Sequence, residues 1–208
     1  MRYISTRGAA PVLPFAETML TGLARDGGLY VPETVPTLSP DQIAAFEGIS
    51  YEDAAFRVMQ PFVAESFSET ELREAIRRAY QGFGHAARAP LVQLAPGHFL
   101  LELFHGPTLA FKDFAMQLIG QLFQIALARE GRRVTIVGAT SGDTGSAAIE
   151  AFRGLPPSSV MRTGAPSRSR SVPSTTTRSP TFSPSVTTVR TPSASPSLTG
   201  RTTTLSSP

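Results

Sequence analysis

The chain has 208 residues, of which 19 are basic and 16 acidic, giving a formal net charge of +3, and it contains no cysteine. The lack of cysteine excludes disulfides, thiolate metal ligands and a cysteine nucleophile. The three histidines, His85, His98 and His105, are too dispersed to form a recognisable metal motif. Because no apolar run is long enough to span a membrane and the first residues lack the apolar core of a signal peptide, we expect a soluble cytoplasmic protein.

The charge is unevenly distributed along the chain. Residues 1–150 contain all 16 acidic side chains and 12 basic ones, a net charge of −4. Residues 151–208 contain seven arginines and no acidic residue, a net charge of +7. The high isoelectric point therefore belongs to the C-terminal part. It is weak evidence for a nucleic-acid partner, and we predict none.

Residues 1–85 have the pattern of a small, mostly helical domain. Residues 15–20 predict a short helix, and residues 29–31 predict a short strand. Ser39 is followed by proline, which is typical of an N-cap before the first helical residue. Ser68 begins a capping box, with glutamate three residues later, and opens a predicted helix with one apolar face.

From residue 86 to about 154 the pattern changes to alternating strand and helix. An apolar run, an amphipathic helix, a β-branched strand, a glycine-rich turn and a second helix follow one another, at residues 99–104, 111–129, 134–137, 139–145 and 146–152. This order predicts the opening of a parallel α/β sheet. Such a sheet needs more strands than the sequence supplies here.

The segment 155–208 has a different composition. Its 54 residues include 14 Ser, 12 Thr, 9 Pro and 6 Arg, with a single aromatic residue. Because such a segment cannot bury enough apolar surface to offset its chain entropy, we predict a disordered tail. Its abrupt onset after a half-built α/β unit suggests a shifted reading frame. The alternative is a genuine basic tail, open to phosphorylation or to anionic partners.

Lys112 is the only lysine in the chain, and it lies among aromatic and aliphatic neighbours. Arginine carries the other positive charges, and arginine cannot lose its proton to form an imine. A lysine amine can do so, which makes Lys112 a candidate for covalent chemistry. The alternative is that Lys112 merely survived the replacement of lysine by arginine in a GC-rich genome.

The turn from Thr140 to Gly145 lies between a predicted strand and a predicted helix. Its amides and hydroxyls at a helix N-terminus suit a carboxylate or phosphate, although an ordinary glycine-rich turn has the same pattern. His105 is a candidate catalytic residue or a structural one. The segment Ser5–Gly8 is a further anion-site candidate or a solvated terminal segment. An imine-forming lysine combined with an anion-binding turn suggests amino-acid chemistry on pyridoxal phosphate.

At the level of motifs, the sequence closely resembles the threonine synthase family, whose members are pyridoxal phosphate enzymes of fold type II. The resemblance covers residues 1 to about 154 and excludes the tail. Five segments carry it: Tyr3–Gly8, Gly22–Pro32, Phe104–Thr108, Phe111–Phe114 and Gly138–Ser146.

The resemblance implies a set of roles. Lys112 forms the Schiff base with pyridoxal 5'-phosphate and moves protons during catalysis. Thr140, Ser141, Gly142, Asp143 and Thr144 hold the substrate's α-carboxylate, and Asp143 lies near the phenolic oxygen of the cofactor. The family converts O-phospho-L-homoserine and water to L-threonine and phosphate, so the partner is a small-molecule substrate. The sequence does not indicate an oligomeric state.

The resemblance also implies a domain organisation. Residues 1–85 form the N-terminal domain, residues 86–154 begin an incomplete cofactor-binding α/β domain, and residues 155–208 form the tail. The family's cofactor-phosphate loop and pyridine-nitrogen partner lie downstream of the matching part. We therefore expect a truncated chain that binds the cofactor poorly and has no synthase activity. The alternatives are a related type II lyase (a phospholyase or dehydratase) and a non-catalytic fragment with a basic binding tail.

Overall fold

Helices and short strands alternate along the chain in a computed structural model, which describes residues 1–132, 134–138, 140, 142–153 and 159–163. The helices are α1 (Phe15–Thr21), α2 (Pro40–Ala44), α3 (Tyr51–Val63), α4 (Glu69–Tyr80), α5 (Asp113–Glu130) and α6 (Asp143–Phe152). The strands are β1 (Arg2–Ser5), β2 (Leu13–Pro14), β3 (Tyr30–Pro32), β4 (Leu91–Ala95), β5 (His98–Leu101), β6 (Val134–Gly138) and β7 (Ser159–Thr163). The mixed helix and strand architecture expected from the sequence is confirmed.

Local sequence signals set several helix boundaries. Ser39 and Ser68 are the N-caps of α2 and α4, and both form complete capping boxes with a side chain three residues later. Gly131 ends α5 in the left-handed conformation that glycine adopts readily. Helix α3 was not predicted, although Ser50 caps it by accepting a hydrogen bond from the Asp53 amide.

The main hydrophobic core joins α3 and α4 to the first two thirds of α5. Its least exposed side chains include Leu72 and Ile76 of α4 and Leu122 of α5, each with 1% of its surface exposed. The apolar face predicted for the Ser68 helix is the one that forms this core. Since α4 and α5 share it, the core crosses from residues before position 85 to residues after it.

A second contact of α5, on another face, holds α6. Phe123 and Leu127 of α5 pack in one cluster with Val134, Ala151 and Phe152. Gly120 permits the close approach, because a Cβ built there would lie 2.7 Å from the carbonyl oxygen of Ala151. Helix α5 therefore packs against α4 through one face and against α6 through another.

The strands form three small sheets among the described residues. Strands β2, β1 and β3 are antiparallel in that order, β4 pairs with β5 antiparallel, and β6 pairs with β7 in parallel. Helix α6 connects β6 to β7, as expected for the opening of a parallel sheet. None of the described helices is long and apolar enough to cross a membrane.

Two strands differ from the sequence prediction. We expected the apolar run at 99–104 to be a strand of the parallel sheet, but β5 instead forms a hairpin with β4, whose sequence was not assigned. Strand β7 comprises five residues, Ser159–Thr163, of the segment whose composition predicts disorder. Pairing with β6 supplies their backbone partners, which composition alone cannot reveal. The rest of 155–208 lies outside the described residues.

The contact of α5 with α6 predicts the effect of Gly120→Ala. Overpacking costs about 1–3 kcal/mol, and the better helix propensity of alanine offsets about 1 kcal/mol of it. We expect a net loss of up to about 2 kcal/mol in the free energy of unfolding, measured by urea denaturation. Gly82→Ala is the control, because a Cβ there meets nothing within 4 Å. A Gly120→Ala chain that unfolds at a higher urea concentration than the Gly82→Ala chain would contradict this packing.

The lowered pKa of Glu71 predicts that the stability of the fold depends on pH. Hydrogen bonds from the Ser68 side chain and amide, and then from Arg129, lower the pKa of Glu71 from 4.5 to about 2. A lowered pKa stabilises the fold above pH 4.5, and this stabilisation is lost as the pH falls towards 2. Glu71→Gln keeps a capping box, as Gln42 does in α2, but removes the charge.

We therefore expect the wild-type chain to lose more stability than Glu71→Gln between pH 4.5 and pH 2, measured by urea denaturation at each pH. Glu74, whose pKa is also about 2, is common to both chains and cancels in the difference. If the free energy of unfolding falls equally with pH in the two chains, Glu71 does not contribute this pH-dependent stability.

Candidate active site

Lys112 lies at the N-cap of α5. It is partly exposed, and its Nζ atom lies 4.6 Å from the centre of the Phe111 ring. A lysine ammonium at this distance from an aromatic face is attracted by the ring quadrupole. Lys112 forms no ion pair with any described residue. The amine is therefore next to an aromatic face and is not held by a carboxylate.

The residue after this lysine is a buried acid. Asp113 has no exposed surface, and its carboxylate accepts two hydrogen bonds of 2.8 Å, one from the Thr108 amide and one from the Thr108 hydroxyl. Gly106 packs directly against it, because a Cβ at Gly106 would lie 2.5 Å from Asp113 Cβ. These contacts close the loop that leads into α5. No local sequence pattern indicates a role for Asp113 or Thr108 beyond their place in the motif.

The first turn of α5 also packs on aromatic side chains. The Phe114 ring lies 4.9 Å from Phe83 and 6.3 Å from Tyr80, measured between ring centroids. The Tyr80 hydroxyl donates a hydrogen bond of 3.0 Å to the Phe114 carbonyl oxygen. Burial raises the pKa of Tyr80, so the phenol keeps its proton and remains a donor. Helix α4 thus fixes the start of α5 from the side.

His105 has the contacts of a structural residue. Its Nε2 atom lies 2.6 Å from Glu102 Oε2, and its carbonyl oxygen accepts a hydrogen bond from the Gly84 amide. Its ring centroid lies 5.1 Å from that of His85. No group of three or more potential metal ligands is found among the described residues. The structural alternative for His105 is therefore the one that these contacts favour.

The second part of the candidate site is the turn into α6. The Thr140 hydroxyl accepts hydrogen bonds from the Gly142 amide, at 3.3 Å, and the Gly145 amide, at 2.9 Å. Gly142 is the N-cap of α6 and provides no side-chain cap, and Asp143 lies in the first turn with Thr144. The N-terminal end of α6 carries the positive end of the helix dipole. Ser141 lies outside the described residues.

Chain order leads us to expect both helix starts at one end of β6. Helix α5 precedes β6 in the chain, and its residues Phe123 and Leu127 pack with Val134 of that strand. If α5 runs back along the strand that follows it, as helices of α/β units do, Lys112 is expected towards the carboxyl end of β6, where α6 begins. Open α/β sheets bind ligands at this end. No hydrogen bond or ion pair joins Lys112 to Thr140, Gly142, Asp143 or Thr144.

The segment at Ser5–Gly8 forms part of a structural turn. The Ser5 side chain is buried and donates a hydrogen bond of 2.7 Å to Asp26 Oδ1, which also accepts from the Gly28 amide. Arg7 donates to the Asp26 carbonyl oxygen. The hydrogen bonds from the Ser5 hydroxyl, as the largest cause, and from the Gly28 amide lower the pKa of Asp26. A carboxylate thus occupies the position that we considered for an anion.

Comparison with known proteins matches this fold to one family. Residues 2–80 match the family model described as the threonine synthase N terminus. Over 153 residues the chain is 57% identical to threonine synthase of Pseudomonas aeruginosa. The aligned region covers 74% of this chain and 33% of that protein. The matched part of the chain is thus similar to the N-terminal portion of threonine synthases. The chain spans about a third of the length of the curated relatives it matches.

Solved threonine synthases have the same fold over the matched region. The PLP-bound threonine synthase from Brucella melitensis is 51% identical, with a TM-score of 0.76 over 78% of this chain and 35% of that one. The yeast threonine synthase is 39% identical, with a TM-score of 0.73 over the same shares of each chain. The threonine synthase fold thus extends from the N-terminal domain into the helices that carry Lys112 and the α6 turn.

The turn into α6 predicts a specific effect of Thr140→Val. Valine has the shape of threonine but leaves the Gly142 and Gly145 amides without their acceptor. We expect the free energy of opening the first turn of α6 to fall by about 1 kcal/mol. Hydrogen exchange of its amides, measured by mass spectrometry, should then be about fivefold faster. Thr140→Ser keeps the hydroxyl and is the matched control. Equal exchange in the two variants would contradict the role of this hydroxyl.

Proposed function

We propose that this chain carries the lysine-bearing N-terminal part of a threonine synthase. A threonine synthase converts O-phospho-L-homoserine and water to L-threonine and phosphate with pyridoxal 5'-phosphate. The observation that supports this assignment best is the position of Lys112, the single lysine of the chain. It stands at the start of α5, within the region that is similar to solved threonine synthases.

The described residues fit part of a pyridoxal phosphate site. The cofactor offers an aldehyde, which needs an amine, and Lys112 presents one beside an aromatic ring. The start of α6, where the N-cap residue Gly142 provides no side-chain cap, suits an anionic group. A Cβ built at Gly142 would meet nothing within 4 Å, so the turn has open space on that side. Lys112 would hold the cofactor, and Asp143 would lie near its phenolic oxygen.

When bound, pyridoxal phosphate would supply an electron sink that stabilises a substrate carbanion. The residues of this chain would perform the remaining tasks. The Nζ atom of Lys112 would accept and return a proton, which arginine at the same position could not do. Thr140, Ser141, Gly142, Asp143 and Thr144 would bind the substrate's α-carboxylate through amides and hydroxyls at the start of α6. The positive end of the helix dipole favours an anion there.

The extent of the match limits the expected activity. Because the chain spans about a third of its relatives, we expect weak cofactor binding and no steady formation of threonine from O-phospho-L-homoserine. Purified chain supplied with the cofactor and O-phospho-L-homoserine tests this expectation. Continuous threonine formation above the level of a Lys112→Arg variant would contradict it.

Reduction with borohydride tests the assignment of Lys112 directly. The chain as written has two kinds of primary amine, Lys112 Nζ and the α-amine of Met1, which forms an ion pair with Glu65. After incubation with pyridoxal phosphate, reduction and peptide mapping, we expect the label on Lys112 in preference to Met1. This preference should disappear in urea, where neither amine has a folded environment. Lys112→Arg keeps the positive charge and should remove the label.

Equal labelling of Lys112 and Met1 in the folded chain would count against the proposed cofactor site. The urea sample distinguishes this outcome from a general failure of the reaction, since both amines must be labelled there. Circular dichroism of the same samples shows whether the chain under test is folded.

A further inference from the structure

We propose that Asp113 and Thr108 form a clamp whose role is to position Lys112. This inference rests on the proposed function, since it concerns the lysine assigned to that site. The two residues are called the Thr108–Asp113 clamp below. Asp113 is a positioning residue in this scheme, because it acts through the backbone of its neighbour.

The burial of Asp113 is the first observation. Acidic side chains are almost never fully buried unless they are paired, and Asp113 has 0% of its surface exposed. Both hydrogen bonds to its carboxylate come from Thr108. The Thr108 amide donates to Oδ2 and the Thr108 hydroxyl donates to Oδ1, each at 2.8 Å. The carboxylate thus closes a ring of the chain that contains Lys112.

The backbone of this ring is constrained at several points. The Leu109 amide donates to the Gly106 carbonyl oxygen at 3.1 Å, and the Asp113 amide donates to the Ala110 carbonyl oxygen at 3.0 Å. Leu109 has a φ of 60°, which is unfavourable for a residue with a side chain. Its side chain is 73% exposed, so burial of that side chain does not offset the strain. The contacts around it must hold the conformation.

Gly106 shows how closely the loop approaches the acid. A Cβ at Gly106 would lie 2.5 Å from both Cβ and Oδ2 of Asp113, which no real side chain could tolerate without a shift. The loop is therefore shaped around the carboxylate from both sides, by Gly106 and by Thr108. Lys112 lies between the two ends of this ring and precedes Asp113 directly. Loss of the clamp would let the backbone at Lys112 move, while the reactive amine of Lys112 itself would remain.

Acylation of the full chain tests the clamp without the cofactor. An excess of N-hydroxysuccinimidyl acetate labels accessible amines, and mass spectrometry gives the rate at Lys112 relative to the α-amine of Met1. Thr108→Val removes the hydroxyl but keeps the shape of the side chain and the hydrogen bond from the backbone amide to Asp113. We expect this variant to raise the relative rate at Lys112 by about threefold to tenfold, as expected for the loss of one buried hydrogen bond.

Three further variants make the test specific. Thr108→Ser retains the hydroxyl and should restore the wild-type rate. Asp113→Asn should also stay near the wild-type rate, because the amide can accept from the Thr108 amide and donate to the Thr108 hydroxyl. Ser39→Ala removes a hydroxyl cap from α2 and controls for a general loss of stability. We expect no change at Lys112 in that variant.

A wild-type rate at Lys112 in folded Thr108→Val would overturn the proposal. If circular dichroism shows that Thr108→Val is unfolded, hydrogen exchange of the wild-type chain decides instead. A protected Thr108 amide is then the expected result, and an amide that exchanges as in an unfolded chain overturns the clamp. Neither readout involves pyridoxal phosphate. Failure of the borohydride labelling would therefore count against the proposed function and leave the clamp standing.

Discussion

Helix α5 packs between α4 and α6, and this packing joins the two hydrophobic clusters of the fold. One face of α5, with Leu118, Leu122 and Ala126, completes the core of the N-terminal helices, while Phe123 and Leu127 pack against α6 and β6. Because both faces are occupied, α5 has little freedom to rotate about its axis. The position of its first residue, and hence of Lys112, is thus determined by the hydrophobic core as well as by the loop before it.

The local hydrogen bonds at the start of α5 complement this packing. The core places the helix, Tyr80 holds the Phe114 carbonyl, and Asp113 closes the loop on Thr108. The hydrogen bonds act on Asp113 and Phe114, the two residues after Lys112, and neither occupies the amine. Such an arrangement suits a site that must hold a reactive group in a defined place while the group itself remains available.

The hairpin of β4 and β5 contrasts with this ordered region. Every residue of both strands is exposed, including Leu91, Leu94, Phe99 and Leu101. A two-stranded hairpin is marginally stable in water without further packing. This chain spans about a third of the length of its relatives, and no residue of the hairpin is buried. Apolar surface of this kind marks a region that needs a partner to be stable.

Local signals were enough to predict the helix starts at Ser39 and Ser68, strand β6, the glycine-rich turn and Lys112 as a candidate, because capping, periodicity and a unique residue type can be read along the chain. The folded chain was needed to show that β5 pairs with β4, that Ser159–Thr163 is a strand beside β6, and that Asp113 is buried against Thr108 and Gly106. These features depend on which segments meet in space. Strand pairing and the burial of a carboxylate are properties of contacts between segments, which no local pattern encodes.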